Sequence, residues 1–179
     1  SEYDTVLSSG EQVTSALLSI ALEALSIKAR SWLGWQVPII TDDLYGKAVI
    51  KNIKTANISK SLGNGFVAIV SGFQGVSNKN RITTLGRGGS DTSAVALAAA
   101  FSADRCDIYT DVDGVYTTDP RNHKKAKKIS KISYNEMLEM ASLGAKVMQP
   151  TSVQDAKLNN INFSVKSSFQ KKKGTLITL

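Results

Sequence analysis

The chain has 179 residues, 42% of them hydrophobic, which is typical of one globular domain with a sizeable core. No apolar run is long enough to span a bilayer and no signal peptide is visible, so we expect neither a membrane protein nor a secreted one. Much of the net charge of +7 comes from lysines in residues 123–128 and 171–173. No aromatic residue interleaves with these lysines, so we interpret them as solvated loops rather than a nucleic-acid site.

The single cysteine and the single histidine are expected to carry no chemistry. Cys106 lies in a predicted buried strand, where it packs as a small apolar side chain and cannot form an internal disulfide. This fits a reducing compartment, and we expect a cytoplasmic protein. His123 lies in an exposed lysine-rich run, which disfavours a catalytic role.

Strands and helices are predicted to alternate along the chain, which favours an α/β domain with a mainly parallel sheet in a three-layer α/β/α arrangement. Capping boxes at Ser9 with Gln12 and at Ser133 with Glu136 predict helix starts. The predicted helices cover residues 11–28, 94–101, 133–147 and 153–158, the last opened by Pro150, and the predicted strand or extended segments cover 6–7, 32–41, 48–53, 66–70, 106–110 and 161–165. The continuous apolar run 66–70 is typical of a parallel strand buried on both faces. No repeat or linker divides the sequence, so we expect one domain over residues 1–179.

A glycine-rich run, TTLGRGGSDT at residues 83–92, precedes the predicted helix at 94–101. Glycine lets a backbone approach a ligand closely, and Arg87 adds a permanent planar cation. Because free N–H groups at a helix start also attract anions, the run predicts an anion-binding loop. The alternative is a plain glycine turn capped by Ser90 or Asp91, and a glycine pattern alone does not separate the two.

An acidic run, DIYTDVDGVYTTDPR at residues 107–121, follows at the end of the predicted strand 106–110. Residues 111–114 are predicted to form a turn, so carboxylates and Arg121 gather at the carboxyl end of a strand, where α/β sheets bind ligands. The alternatives are an acidic surface turn or a calcium loop. Asp111, Asp113 and Gly114 lack the D-x-D-x-D-G register that a calcium loop needs, so we predict no metal site.

Together these two runs resemble the aspartate kinases of the amino acid kinase family. Further matches occur at residues 7–11 (the S-x-G-E element), 71–75 (a glycine-bearing strand end), 133–147 (a helix with a nucleotide-contacting lysine), 165–169 and 174–175 (the end of the kinase domain). The motifs follow the family's order over almost the whole chain.

The chain departs from the family's pattern in three places. The K-F-G-G-[TS] strand and loop, whose lysine contacts the transferred phosphates, does not occur, and no regulatory ACT repeats follow. The chain also opens with Ser1, so we expect an internal part of a catalytic domain that lacks the N-terminal strand and loop. Relatives often carry H-P-R where this chain has Gln149 to Thr151, and no role is assigned there.

The resemblance implies two sets of site residues. Phosphorylating a carboxylate requires two anions to be brought together and aligned, and Arg87 can pair bidentately with a substrate carboxylate. By resemblance, Glu11, Arg87 and Ser90 bind aspartate, and Asp91 organises the reacting centre. The implied ATP-binding residues are Thr110, Asp111, Tyr116, Arg121, Lys146 and Val147. Mg²⁺ would arrive with ATP, held mostly by phosphates and water, and no protein ligand is named for it.

The implied activity is ATP-dependent phosphorylation of L-aspartate to 4-phospho-L-aspartate, the entry to lysine, threonine and methionine biosynthesis, by a homo-oligomer. One alternative is another amino acid kinase, such as a glutamate or uridylate kinase, against which residues 87–91 argue. Another is a catalytically silent nucleotide-binding fragment. Single residues also have structural alternatives: Glu11 and Lys146 could complement helix dipoles, and Tyr116 could belong to the core.

Overall fold

The computed structural model describes residues 1–144 and 147–179, which form two compact units, Ser1–Ser93 and Ala94–Leu179. The helices are α1 (Glu2–Ala24), α2 (Ala56–Gly63), α3 (Gly89–Ala100), α4 (Tyr134–Ser142) and α5 (Pro150–Leu158). The strands are β1 (Ala29–Trp32), β2 (Ile39–Thr41), β3 (Ile50–Ile53), β4 (Val67–Val70), β5 (Gln74–Ser77), β6 (Ile82–Thr84), β7 (Cys106–Thr110), β8 (Lys131–Ser133), β9 (Phe163–Ser167) and β10 (Thr175–Thr178). Among the helices of these residues, none is long and apolar enough to cross a membrane.

The first unit contains two sheets and the helix that packs on them. Strands β1 and β4 pair in parallel, and the other sheet has the order β3-β2-β5-β6 with β2 and β5 parallel. Helix α1 contacts β1, β4 and β6, and α2 contacts β4. The unit therefore places the C-terminal end of β4 beside the long helix α1.

The second unit contains one sheet of order β7-β9-β10-β8, in which β7 pairs with β9 and β10 with β8 in parallel. Its core gathers apolar side chains from the sheet, from α4 and α5, and from the C-terminal half of α3, including Val95, Ile108, Met137, Val153 and Phe163. Among the described residues, four of the seven strand pairings are parallel. The predicted α/β class with a mainly parallel sheet is confirmed.

Helix α1 differs from its prediction. It runs without a break from Glu2, so the predicted strand at residues 6–7 and the helix start at Ser9 are wrong, and it ends at Ala24 rather than near residue 28. The Ser9 hydroxyl donates to the Val6 carbonyl instead of capping a helix, and Gln12 donates to the distant Gln74. Hydroxyl side chains that bond back to carbonyls three or four residues earlier are tolerated inside helices, which is why the capping signal misled.

Other predictions were met more closely. Strand β7 has the predicted bounds, and the Ser133 hydroxyl accepts from Glu136 N at 3.2 Å as the capping box requires. The second half of that box is also formed, because Ser133 N donates to the Glu136 carboxylate at 2.9 Å. Helix α4 ends at Ser142, earlier than expected, and Pro150 opens α5.

Three predicted segments were only partly right. Residues 34–38 form a turn within the predicted extended stretch 32–41. Strand β4 pairs in parallel as expected, but its side chains are half-buried or exposed rather than buried on both faces. Strand β9 lies two residues later than the predicted 161–165.

Candidate functional site

A glycine turn presents Arg87 directly before α3. Gly86 and Gly88 have φ of 79° and 71°, a left-handed conformation that glycine adopts without a side-chain clash. Gly89 N donates to Gly86 O at 3.1 Å, which closes the turn, and the Arg87 side chain is exposed. Ser90 and Asp91 lie inside the first turn of α3 instead of preceding it, so they are not its caps. The predicted loop therefore sets an arginine beside the free N–H groups of a helix start.

The segment after β4 lies against the start of α3. A Cβ at Gly72 would lie 3.3 Å from Ser90 Cα, so the two backbones are close. Phe73 N donates to Ser93 Oγ at 3.0 Å, and that hydroxyl donates to Gly89 O at 2.8 Å. Phe73 itself has φ of 66°, which is unusual for a bulky residue and costs backbone strain. Strain that the surrounding contacts hold in place is typical of functional segments.

The same segment is tied to α1 at Glu11. Ser71 Oγ donates to the Ser15 hydroxyl at 3.0 Å and lies 3.4 Å from the Glu11 carbonyl oxygen. Gln74 is buried, donates to Ser8 O at 3.1 Å and accepts from Gln12 at 3.1 Å. Residues 71–74 thus contact both the helix that carries Glu11 and the helix start that carries Ser90. The structure brings these two predicted site segments together on one strand end.

The charged side chains of this site make no pair with the residues that the structure describes. Among residues 1–144 and 147–179, no hydrogen bond or ion pair reaches the side chains of Glu11, Arg87 or Asp91. Burial raises the pKa of Asp91, because desolvation disfavours its charged form. Two carboxylates and one guanidinium are therefore available to a ligand that carries both a cation and an anion.

A buried carboxylate holds the N-terminus of α1 in the same unit. Asp4 is fully buried and accepts hydrogen bonds from Gly46 N at 2.8 Å, Thr84 N at 3.1 Å and Thr84 Oγ1 at 2.5 Å. Burial alone would raise the pKa of Asp4, but the hydrogen bonds from Ser1, Thr84 and Gly46 outweigh it and hold the pKa well below its usual value. This carboxylate is structural.

In the second unit, the acidic loop after β7 is already paired. The Tyr116 hydroxyl donates to Asp113 Oδ1 at 2.8 Å, and Lys128 Nζ lies 3.4 Å from Asp113 Oδ2. The hydrogen bond from Tyr116 is the largest cause that lowers the pKa of Asp113, and the Lys128 charge lowers it further. Thr110 Oγ1 donates to Asp111 at 3.1 Å, while the Asp111 side chain stays exposed. Tyr116 is half-buried, so it is not a core residue.

A short bridge closes the connection that follows. Tyr116 and Lys128 form an isolated antiparallel bridge, and Thr117 N donates to Lys127 O at 3.0 Å. Arg121 lies in the exposed loop between them, where its guanidinium binds both Asp119 oxygens, at 3.2 and 3.1 Å. The predicted phosphate partner is thus held in a fork by a neighbouring carboxylate.

Two predicted nucleotide-binding residues remain, Lys146 and Val147. Val147 is half-buried against the core of the second unit. Lys146 lies outside the described residues. Within the described residues, no group of three or more His, Cys, Asp or Glu side chains is placed to hold a metal ion.

The sequence did not reveal the residues that hold the predicted site residues in place. Phe73, Gln74 and Ser93 support Gly72 and the start of α3, and Lys128 completes the Tyr116–Asp113 pair. Gln74 directly follows the S-G-F motif and is flanked by glycine, so a polar residue inside an otherwise apolar and glycine-rich strand end was the available signal. Ser93 and Lys128 gave no signal of their own.

Comparison with known proteins agrees with this geometry. The chain is 53% identical over 176 residues to an aspartokinase from Bacillus sp. (strain MGA3), covering 98% of this chain and 43% of that protein. The structure of E. coli aspartokinase III in complex with aspartate and ADP superposes with a TM-score of 0.90 at 38% identity, over 98% of this chain and 40% of that one. Aspartate kinase from Synechocystis superposes with a TM-score of 0.85 at 47% identity, over 99% of this chain and 29% of that one.

The chain spans less than half the length of these proteins. The family model described as "Amino acid kinase family" matches residues 1–167, which is nearly the whole chain. The described residues, with their parallel pairings and five helices, therefore share the α/β fold of these structures. The chain belongs to the amino acid kinase family.

Proposed function

We propose that this chain is part of the catalytic domain of an aspartate kinase, which transfers the γ-phosphoryl group of ATP to L-aspartate and forms 4-phospho-L-aspartate. The observation that carries the proposal is the set of unpaired charges around the glycine turn, Glu11, Arg87 and Asp91. The similarity to aspartokinases supports the substrate, since one such structure holds aspartate and ADP.

The first unit is proposed to bind aspartate. The Arg87 guanidinium pairs with one carboxylate of the substrate in a fork geometry that lysine cannot reproduce. The Glu11 carboxylate holds the α-ammonium group, and Ser90 donates from the first turn of α3. Asp91 orients the reacting groups from the same helix turn, in a partly buried setting where its charge acts more strongly than in water.

The second unit is proposed to bind ATP. Arg121 and Lys146 face the phosphates, and Thr110, Asp111, Tyr116 and Val147 contact the nucleoside part. Mg²⁺ enters as the ATP complex and is part of the substrate, with most of its ligands from phosphate and water. Arg121 must leave Asp119 to reach a phosphate, so nucleotide binding exchanges one ion pair for another.

Catalysis in this scheme rests on alignment and charge neutralisation rather than on a covalent intermediate. The attacking oxygen is a carboxylate, which is already a nucleophile at neutral pH, so no general base is needed. Cationic groups offset the repulsion between that carboxylate and the triphosphate. We assign the activity to the cytoplasm, as the lone buried Cys106 suggests, and to a homo-oligomer.

The test measures acyl phosphate formed from ATP and aspartate, trapped with hydroxylamine, with glutamate as the substrate control. Arg87→Ala is expected to lower turnover by about 1,000-fold, because a charge-assisted bidentate contact is lost at the reacting substrate. Arg81→Ala is the matched control, since Arg81 is an exposed arginine of the same unit that pairs with Glu2.

Unchanged aspartate-dependent turnover in Arg87→Ala would overturn the proposal. A folded protein that binds ATP without any turnover would instead favour the nucleotide-binding fragment. Phosphorylation of glutamate in preference to aspartate would point to another amino acid kinase.

A further inference from the structure

Phe73 is hydrogen-bonded to both ends of the segment that carries the glycine turn. Its carbonyl oxygen accepts from Leu85 N at 3.0 Å, and its own N–H donates to Ser93 Oγ at 3.0 Å. Leu85 and Ser93 lie on either side of Arg87 in the sequence. We name residues 85–93 the arginine segment. A single residue between β4 and β5 therefore holds this segment at its two ends.

The Phe73 side chain also packs against the glycine turn. A Cβ at Gly89 would lie 2.8 Å from Phe73 Cδ2 and 3.2 Å from Phe73 Cα, so a side chain there would force Phe73 to shift. Phe73 keeps a φ of 66°, a backbone conformation that is unfavourable for a bulky residue and persists only where surrounding contacts hold it. The bonds to Leu85 and Ser93 are contacts of this kind.

The bond to Ser93 is the one that depends on a side chain. Ser93 is 1% exposed, and its hydroxyl donates to Gly89 O at 2.8 Å while its oxygen accepts from Phe73 N. The hydroxyl therefore uses its donor and its acceptor at once. If it is removed, the Phe73 N–H loses its acceptor, and the strained backbone loses one of its restraints.

The neighbours of Phe73 are bonded to the helix that carries Glu11. Two hydrogen bonds join them to α1, one on each side of Glu11 in the sequence: Ser71 Oγ to Ser15 Oγ at 3.0 Å, and Gln74 Nε2 to Ser8 O at 3.1 Å. The backbone at Phe73 thus links α1 to the arginine segment. Its conformation sets the distance between Glu11 and Arg87.

This distance matters for a substrate that carries both a cation and an anion. In the proposed function, Glu11 holds the α-ammonium group of aspartate and Arg87 pairs with a carboxylate. Glutamate is longer by one methylene, a difference that changes enzyme selectivity by roughly 10- to 200-fold. Such selectivity requires the two charged groups to be held at a fixed spacing, by residues that need not touch the substrate.

We propose that Ser93 is a positioning residue that sets the selectivity for aspartate over glutamate. Its hydroxyl holds Phe73 in the left-handed conformation and thereby fixes Arg87 relative to Glu11. The inference rests on the proposed function, since it places aspartate between these two side chains. Ser93 itself acts only through Phe73.

Calorimetric titration of L-aspartate and of L-glutamate into the wild type and Ser93→Ala tests the proposal. The variant is expected to bind aspartate about tenfold more weakly, while the dissociation constant for glutamate changes by less than about threefold, because a looser spacing still accommodates the longer molecule. The affinity for ATP, which is proposed to bind the second unit, is expected to stay the same. A general loss of structure would not separate the three ligands in this way.

Ser19→Ala is the matched control. Ser19 is also buried in a helix of the first unit, and its hydroxyl donates to the Ser15 carbonyl at 3.0 Å, as that of Ser93 does to Gly89. It accepts a hydrogen bond from no residue that the structure describes. The control is therefore expected to leave both dissociation constants unchanged.

Two further variants separate the hydroxyl from its volume. Ser93→Thr keeps a hydroxyl that can bond a carbonyl one turn earlier, and it is expected to restore the selectivity for aspartate. Ser93→Cys replaces Ser93→Ala if that variant fails to fold, because a thiol fills the same space and accepts hydrogen bonds only weakly.

The outcomes distinguish this inference from the proposed function. Unchanged selectivity in Ser93→Ala, or in Ser93→Cys where it takes that place, overturns the inference alone, as does an equal loss of affinity for aspartate and glutamate. A wild-type protein that binds neither amino acid overturns both. A wild type that prefers aspartate but forms no acyl phosphate with ATP overturns the proposed activity, and the titrations still decide the role of Ser93.

Discussion

The charged residues of the two candidate sites differ in whether they are already paired within the protein. In the first unit, Glu11, Arg87 and Asp91 make no side-chain pair with any residue described, and their support comes from neutral hydrogen bonds beneath them. In the second unit, Asp113 and Arg121 are already paired, with Lys128 and Asp119 respectively. A ligand of the first unit meets unsatisfied charges, whereas a ligand of the second must displace existing pairs. We therefore expect charge substitutions to cost more in the first unit.

The largest expected difference between the two units comes from replacing one arginine in each unit by lysine. Arg87→Lys is expected to lower kcat/KM for aspartate by about 100-fold, because lysine keeps the charge but loses the fork. Arg121→Lys is expected to raise KM for ATP only by about tenfold, since Arg121 already gives up its pair with Asp119 on binding. Steady-state kinetics with both substrates varied measures the two effects. Equal losses in the two variants would contradict the contrast.

Unlike Glu11, Arg87 and Asp91, Asp4 in the first unit has hydrogen-bond partners for its side chain among the described residues. Asp4→Asn therefore tests what a satisfied charge contributes to the stability of this unit. The variant is expected to lower the free energy of unfolding by about 3 kcal/mol. The three charge-assisted hydrogen bonds that the Asp4 carboxylate accepts from Gly46 and Thr84 are weakened, and the new amide NH₂ group faces one of these donors without an acceptor. Since the folded pKa of Asp4 is lowered, its contribution is present above the ordinary value of 3.8 and is lost as the pH falls toward the folded value. Urea unfolding at pH 7 and at pH 3 measures the difference in the free energy of unfolding between the wild type and Asp4→Asn. A difference that is larger at pH 3 than at pH 7 would contradict the stabilising role of the ionised Asp4.

In the second unit, Tyr116→Phe removes one hydrogen bond from the paired loop. The loss is expected to be about 1 kcal/mol in the free energy of unfolding, with a rise in KM for ATP of a few fold, because Asp113 keeps Lys128 as a partner. Thermal unfolding and ATP titration test it. Tyr134→Phe is a useful comparison, since the Tyr134 hydroxyl makes one bond, to Asn162 at 3.2 Å, outside the loop. Equal effects of both variants on ATP binding would argue against a role for the loop.

The smallest expected effect is that of Asp91→Asn, which is expected to raise the stability of the protein rather than lower it. Burial raises the pKa of Asp91, so its charged form costs stability above the ordinary value of 3.8, and this cost is complete once the pH exceeds the raised folded value. Asp91→Asn is therefore expected to gain about 0.5 kcal/mol at pH 7 while losing activity, as functional residues often do. The gain is expected to vanish below pH 3.8. A variant that is less stable at pH 7 would show that Asp91 has a structural partner.

The sequence predicted features that depend on neighbouring residues. Strand β7 and the capping box of α4 follow from turn, capping and periodicity signals within a few positions. The contacts that support the sites join distant residues: Gln74 bonds Ser8 across 66 positions, and Thr84 bonds Asp4 across 80. No local pattern encodes such pairs. The start of α1 was mispredicted for the same reason, because Asp4, rather than Ser9, holds that end of the helix.

The bridge between Tyr116 and Lys128 has a consequence for proteolysis. It pins both ends of a loop over residues 118–126, in which Lys124 and Lys125 are exposed while Lys128 donates to the Lys173 carbonyl. Trypsin should therefore nick the folded protein first inside this loop. The two pieces should remain associated, because strand β7, before the cut, pairs in parallel with strand β9, after it. A nicked protein would migrate as two bands under denaturing conditions and as one species in solution.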